Sequence, residues 1–161
     1  MNLPPANAPV VSESSSPVAA VGALAGQLAL SLGLGIAATI AVAIVWGILA
    51  NLTDSVYLYA ALFAGIAIGG LMLWPLGRAN IIVRLAVLAV AGVLTVVAVL
   101  GGDYLYYTLK MADRHNLNLL DAAMVVAPNF VEAEQADGLM SILFALAGAV
   151  VTLFQGFRRG R

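Results

Sequence analysis

Apolar side chains run along this chain in four blocks too long to be the half-buried faces of a soluble domain. The blocks cover residues 28–52, 57–76, 81–101 and 139–157. Each holds about 20 residues, which is what a helix rising about 1.5 Å per residue needs to cross about 30 Å of hydrocarbon. None alternates in the way a barrel strand must. In lipid, only helices and closed barrels satisfy every backbone polar group. The pattern therefore predicts an all-α, polytopic membrane protein: a four-transmembrane-helix bundle with a long extracytoplasmic segment between helices 3 and 4.

Polar residues punctuate the blocks. Residues 1–17, rich in Pro, Ser, Ala and Asn, read as a flexible tail. Residues 18–161 read as one transmembrane domain, with 18–27 either extending the first span or lying at the surface. No basic side chain precedes the first block, and that block is too long for the apolar core of a secretory signal, so no cleavage is expected. Asn51, Thr53, Asp54 and Ser55 form the first turn. Pro75 and Gly77 end the second span, and Arg78 and Asn80 make a short turn. Gly101 and Gly102 weaken the helix where the third span ends, although 104–111 could continue it beyond the bilayer. Residues 102–138 form the one long polar segment, with an amphipathic helix at 117–126 closed by Pro128.

Composition agrees. The chain has 161 residues, 63% hydrophobic and only 9% charged, against about a quarter charged in ordinary soluble domains. A soluble domain of this size has too little interior to hide so much apolar surface. A net charge of −1 gives no basic surface for nucleic acid. The absence of cysteine excludes disulfides, thiolate nucleophiles and Cys-based metal sites. His115 is the only histidine and lies in a polar segment, which excludes multi-His metal centres and argues against haem or chlorophyll ligation within a span. No cofactor and no metal are expected.

Orientation follows from the basic residues. Arg78, Arg84, Arg158, Arg159 and Arg161 fall on one side of a four-span chain, with only Lys110 and Arg114 on the other. Both termini are therefore expected in the cytoplasm of a bacterium, with the protein in its inner membrane. Tyr57, Tyr59, Tyr104, Tyr106 and Tyr107 fall near the outer interface, and Trp74, Phe154 and Phe157 near the inner one, as amphipathic rings prefer.

Candidate functional residues are few. Small residues recur at fourfold spacing: Gly22 and Gly26; Gly33, Ala37 and Ala41; Gly65 and Gly69; Ala145 and Ala149. Such faces let helix backbones approach closely, within this bundle or against another subunit, and the Gly65 pair is the better candidate for docking. Arg84 is the only charge inside a predicted span and is long enough to snorkel to the headgroups. Arg78, Arg84, Arg158, Arg159 and Arg161 serve as topology or lipid anchors. Thr39 and Thr95 are expected to bond their own helix backbone. The acidic residues Asp113, Asp121, Glu132, Glu134 and Asp137 match no EF-hand spacing and read as solvated. Asp113 with His115 has no nucleophile or oxyanion device beside it, so no enzyme is expected.

Trp46, Thr53, Ala60, Gly65 and Gly69 carry a resemblance. With them, residues 33–72 resemble a widespread group of small bacterial membrane proteins with four predicted spans. Its members have a Gly/Ala-rich first span ending in Trp, a short Thr-containing turn and a Gly-rich second span. Residues 139–159 are similar to that group's last span. Many members carry a Gly and a Glu after the Thr, where this chain has Asp54 and Val56, so no functional carboxylate carries over. The resemblance implies the four-span architecture and no activity. The reading that fits best is a non-enzymatic accessory or scaffold subunit, partnered by the bilayer and by other membrane subunits or copies of itself. The alternative is a small transporter or homo-oligomeric channel lined by Gly, Ala, Ser and Thr.

Overall fold

The computed structural model describes residues 17–54, 58–77, 79–132, 143, 147, 148, 150 and 151. Every element among them is helical: α1 (Pro17–Thr53), α2 (Leu58–Leu73) with a 3-10 turn (Trp74–Leu76), α3 (Ile81–His115), and α4 (Leu119–Val126) with a 3-10 turn (Ala127–Asn129). By length and composition α1 and α3 could each cross a membrane, and Ala61–Leu76 is a shorter apolar helix.

The ends of the elements have local causes. Pro17 opens α1, where its missing N–H costs nothing. Pro75 tightens the end of α2 into the 3-10 turn, which leaves carbonyls short of intrahelical donors. The Ser31 hydroxyl of α1 donates to one of them, Met72 O, at 2.6 Å. Gly77 then turns the chain with φ +44°, a region open to glycine at no steric cost. Asn80 caps α3 by accepting from the Ile82 N–H at 3.2 Å. Asn116, in the left-handed conformation, ends it.

The helices run up, down and up. Gly35 lies against Met72 and Leu94, Trp46 against Gly102, and Asp54 against Lys110. Advancing along α1 thus advances along α3, and the two are parallel. On α2 the buried positions Ala61, Ala64, Gly65, Ile68, Gly69 and Met72 fall at helical spacing on one face. Of these, Ala61, Ile68 and Met72 meet Ala38 and Trp46 of α1 and Val87, Ala91, Ala98 and Val99 of α3 in two clusters. Small residues dominate this seam, as expected where close backbone approach holds helices together.

α3 continues past residue 101, as residues 104–111 allowed, and runs to His115, so the polar segment 102–138 begins as helix. Neither Gly101 nor Gly102 interrupts the helix, and Gly102 serves packing. A Cβ on Gly102 would sit 2.5 Å from Trp46 Cδ1, so the indole occupies the space this glycine leaves. Asp103, at the start of the polar segment, is buried. It is 4% exposed and accepts from Trp46 Nε1 at 2.7 Å. Finally, Gly33, Ala37 and Ala41 are exposed and do not pack against α2 or α3. Gly35, Ala38, Gly47 and Ala50 form the inward face of α1 instead.

Thr39 and Thr95 donate to their own helix carbonyls, Gly35 O at 2.8 Å and Ala91 O at 2.7 Å, as expected. The amphipathic segment expected at 117–126 is α4. Most of the fourth apolar block lies outside the described residues. Its described positions 143, 147, 148, 150 and 151 are helical, and Gly148 is buried. A Cβ there would meet Leu62 O at 2.5 Å and Gly65 Cα at 3.2 Å, so this segment lies directly on the backbone of α2.

Candidate functional site

The end of α3 that carries His115 is built by two asparagines. With Asn116 left-handed, the N–H groups of Asn116 and Leu117 both reach Ala112 O, which satisfies the end of the helix. Asn118 then caps α4. Its Oδ1 accepts from the Asp121 N–H at 2.9 Å, and its Nδ2 donates to the Asp121 carboxylate at 2.7 Å. The chain folds back so that α4 packs on α3. Tyr104 OH donates to Ala123 O at 2.8 Å. Phe130 meets the Tyr104 ring edge-on at 5.3 Å and the Tyr107 ring at 6.3 Å.

Between these elements lies a cavity of about 350 Å³. Tyr106, Tyr107 and Phe130 form its aromatic wall, and Met111, Val125 and Val126 its aliphatic one. Lys110, Arg114, His115 and Asn129 supply the polar groups. Small-molecule sites have this character, apolar walls with a few convergent polar groups, at about 300–1,000 Å³.

The cations of the cavity differ in role. Lys110 donates to the Asp54 carboxylate and lies over the Tyr106 ring, 5.2 Å from its centroid. Tyr106 OH donates to the same carboxylate at 3.3 Å. The Lys110 hydrogen bond, then its charge, then the Tyr106 bond hold the Asp54 carboxyl below the ordinary carboxylate range, and Arg114 adds a smaller attraction. This cluster ties the turn after α1, where Asp54 has φ 52°, to α3. Arg114 and His115 are exposed in the last turn of α3 and form no ion pair or hydrogen bond with other described residues. The site therefore keeps one uncommitted guanidinium. None of the described residues that line it is a nucleophile paired with a base. Among the described residues no group of three or more His, Asp or Glu could hold a metal.

The residues singled out in the sequence are scattered. Gly65 and Gly69 are buried in the bundle, whereas Gly33, Ala37 and Ala41 line an outward face of α1. Arg84 is half-buried one turn into α3. Arg78, Ala145, Ala149, Arg158, Arg159 and Arg161 lie outside the described residues. Lys110 and Arg114 entered the sequence reading only as the minority basic side. Their spacing of four on one helix face, beside Tyr106 and Tyr107, was the available signal. The partner wall from Val125 to Phe130 is set by the chain reversal at Asn116 and could not be read from spacing.

No protein-family model, no curated protein and no solved structure matches this chain.

Proposed function

We propose that the chain is a four-span integral membrane protein of the bacterial inner membrane, and that it serves as a non-enzymatic accessory or scaffold subunit of a larger membrane complex. One observation carries this reading. α1 is apolar along its length and bears no charged residue, yet its most apolar window is only 17% buried by the rest of the chain. Ile36, Ile40, Ile44, Ile48 and Leu52 lie exposed along it. Lipid accounts for an apolar exterior, since hydrocarbon is as apolar as these side chains. The outward Gly33, Ala37 and Ala41 add a face on which a second helix backbone could approach closely.

The depth of the bundle fits a bilayer. Between Arg84 and Asp103, α3 carries no charged residue. That interval is about 28 Å of helix at about 1.5 Å per residue, close to the hydrocarbon thickness of about 30 Å. Asp103, bonded to Trp46, is a structural polar contact between α1 and α3.

The test is purification of the tagged full-length protein from native membranes in mild detergent, followed by mass measurement. A stoichiometric membrane partner is expected. A clean monomer with nothing co-purifying, in detergent and in native membrane extract, overturns the subunit role.

A further inference from the structure

We propose that the cavity at the His115 end of α3 is a phosphate-recognition site that takes the headgroup of an anionic phospholipid from the outer leaflet. The inference rests on the membrane reading above and adds a ligand to it.

Charge comes first. Asp54 neutralises Lys110, so the cavity retains the charge of Arg114, with His115 beside it as a further nitrogen donor or acceptor. A guanidinium presents a fork of donors that matches the oxygens of a phosphate. A cationic ligand would meet the Arg114 guanidinium and is disfavoured.

Depth comes second. Tyr106 lies three residues beyond Asp103 and His115 twelve, so the site spans about 5 to 18 Å beyond the apolar interval of α3. Side chains of a helix lean toward its N-terminus, which turns Lys110 and Arg114 back toward the hydrocarbon. The polar layer of a bilayer adds about 5–8 Å per side to its core, so the Tyr106 end of the cavity falls at headgroup level, and Arg114, about 16 Å along α3 from Asp103, stands above it and leans back down toward it. Tyrosines prefer this depth.

Shape comes third, and it favours a lipid over a free anion. The cavity pairs its cationic groups with an aliphatic wall of Met111, Val125 and Val126. Outside it, α4 exposes Leu119, Leu120 and Met124, and Val131 follows, all more than half exposed. A soluble partner ion needs none of this apolar surface. A phospholipid uses both parts, with phosphate against Arg114 and glycerol and upper acyl chain along the α4 side.

Native mass spectrometry of the delipidated full-length protein tests the site. The probes are a short-chain phosphatidylglycerol, the matching phosphatidylcholine, and inorganic phosphate. Phosphatidylglycerol is expected to be retained at least tenfold better than phosphatidylcholine. Arg114→Gln is expected to remove that preference, and Arg114→Lys to keep part of it. Arg114 is exposed and has no hydrogen-bonded partner among the described residues, so circular dichroism and Trp46 emission should stay unchanged. Equal retention of both lipids, or a preference that survives Arg114→Gln, overturns the proposal. Equal retention with saturable binding of inorganic phosphate overturns the lipid and assigns the site to a free anion. Alkaline carbonate extraction of native membranes is scored separately. Release of the chain there would overturn the membrane reading itself, whereas a membrane-retained chain without lipid preference would overturn only this site.

Discussion

Adjacent glycines in α3 are expected to respond to the same substitution with opposite signs. A Cβ on Gly102 would lie 2.5 Å from Trp46 Cδ1 and 2.9 Å from both Trp46 Cβ and Cγ. Unstrained carbon contacts are about 3.5–4.0 Å, so the ring would have to move by about 1 Å. It has nowhere to go: Trp46 is 6% exposed and anchored at 2.7 Å to Asp103. Overpacking costs about 1–3 kcal/mol. Displacing the indole also weakens a buried hydrogen bond worth about 1–3 kcal/mol. Replacing helical glycine with alanine returns about 1 kcal/mol. Gly102→Ala should therefore destabilise the bundle by about 1–5 kcal/mol. At Gly101 the new Cβ would meet Ala43 Cβ at 3.5 Å, an ordinary contact. Only the helix term remains, and Gly101→Ala should stabilise by about 0.5–1 kcal/mol. The assay is SDS titration in mixed micelles, followed by Trp46 emission in a Trp74→Phe background, since Trp74 is 75% exposed and makes little packing contact. Equal shifts at the two positions, or a neutral Gly102→Ala, would refute the packing argument.

Two further perturbations test other joints of the bundle. Asp54→Asn keeps a side chain that tolerates positive φ and removes the carboxylate. Because the folded-state Asp54 pKa lies below its ordinary 3.8, the stabilisation it gives is present above that value and is lost as pH falls through the folded pKa. An acid titration of stability should therefore show a component below about pH 4 in the parent that is missing in Asp54→Asn. Persistence of the full acid dependence in the variant would count against the Asp54–Lys110 tie. Ser31→Ala leaves Met72 O without its donor from α1 and should cost about 0.5–2 kcal/mol. Thr39→Val and Thr95→Val remove only bonds to carbonyls of their own helix, and each should cost no more than about 0.6 kcal/mol. The same titration ranks the three, and a larger loss at either threonine than at Ser31 would reverse the assignment.

For the first three apolar blocks, helix existence was legible in the sequence because apolar length alone encodes it, and turn chemistry placed the breaks at Pro75–Gly77 and Pro128 closely. Facing was not legible. α1 is apolar on every side, so nothing in its pattern says that Gly35 and Ala38 turn inward while Gly33 and Ala37 turn out. Gly101 and Gly102 read as a weak point in the helix because local propensity penalises glycine, and the indole that fills the space beside Gly102 lies far away in sequence. The burial of Asp103 was not legible for the same reason: its donor, Trp46, is 57 residues distant. The cavity at the His115 end shows both sides of this. Lys110 and Arg114 share a helix face by spacing alone, but their opposite wall depends on the chain reversal at Asn116.

Site-directed labelling of single cysteines in spheroplasts tests the four-span membrane account most directly. The chain has no cysteine of its own, so each introduced thiol reports one position. Asp113→Cys and Asn129→Cys sit at exposed positions beside the cavity, Ala79→Cys sits at the end proposed to face the cytoplasm, and Ser12→Cys, outside the described residues, reports the N-terminal tail. The account predicts that a membrane-impermeant maleimide labels the first pair in intact spheroplasts and the second pair only after lysis. Labelling of all four before lysis, or of the second pair alone, would contradict it.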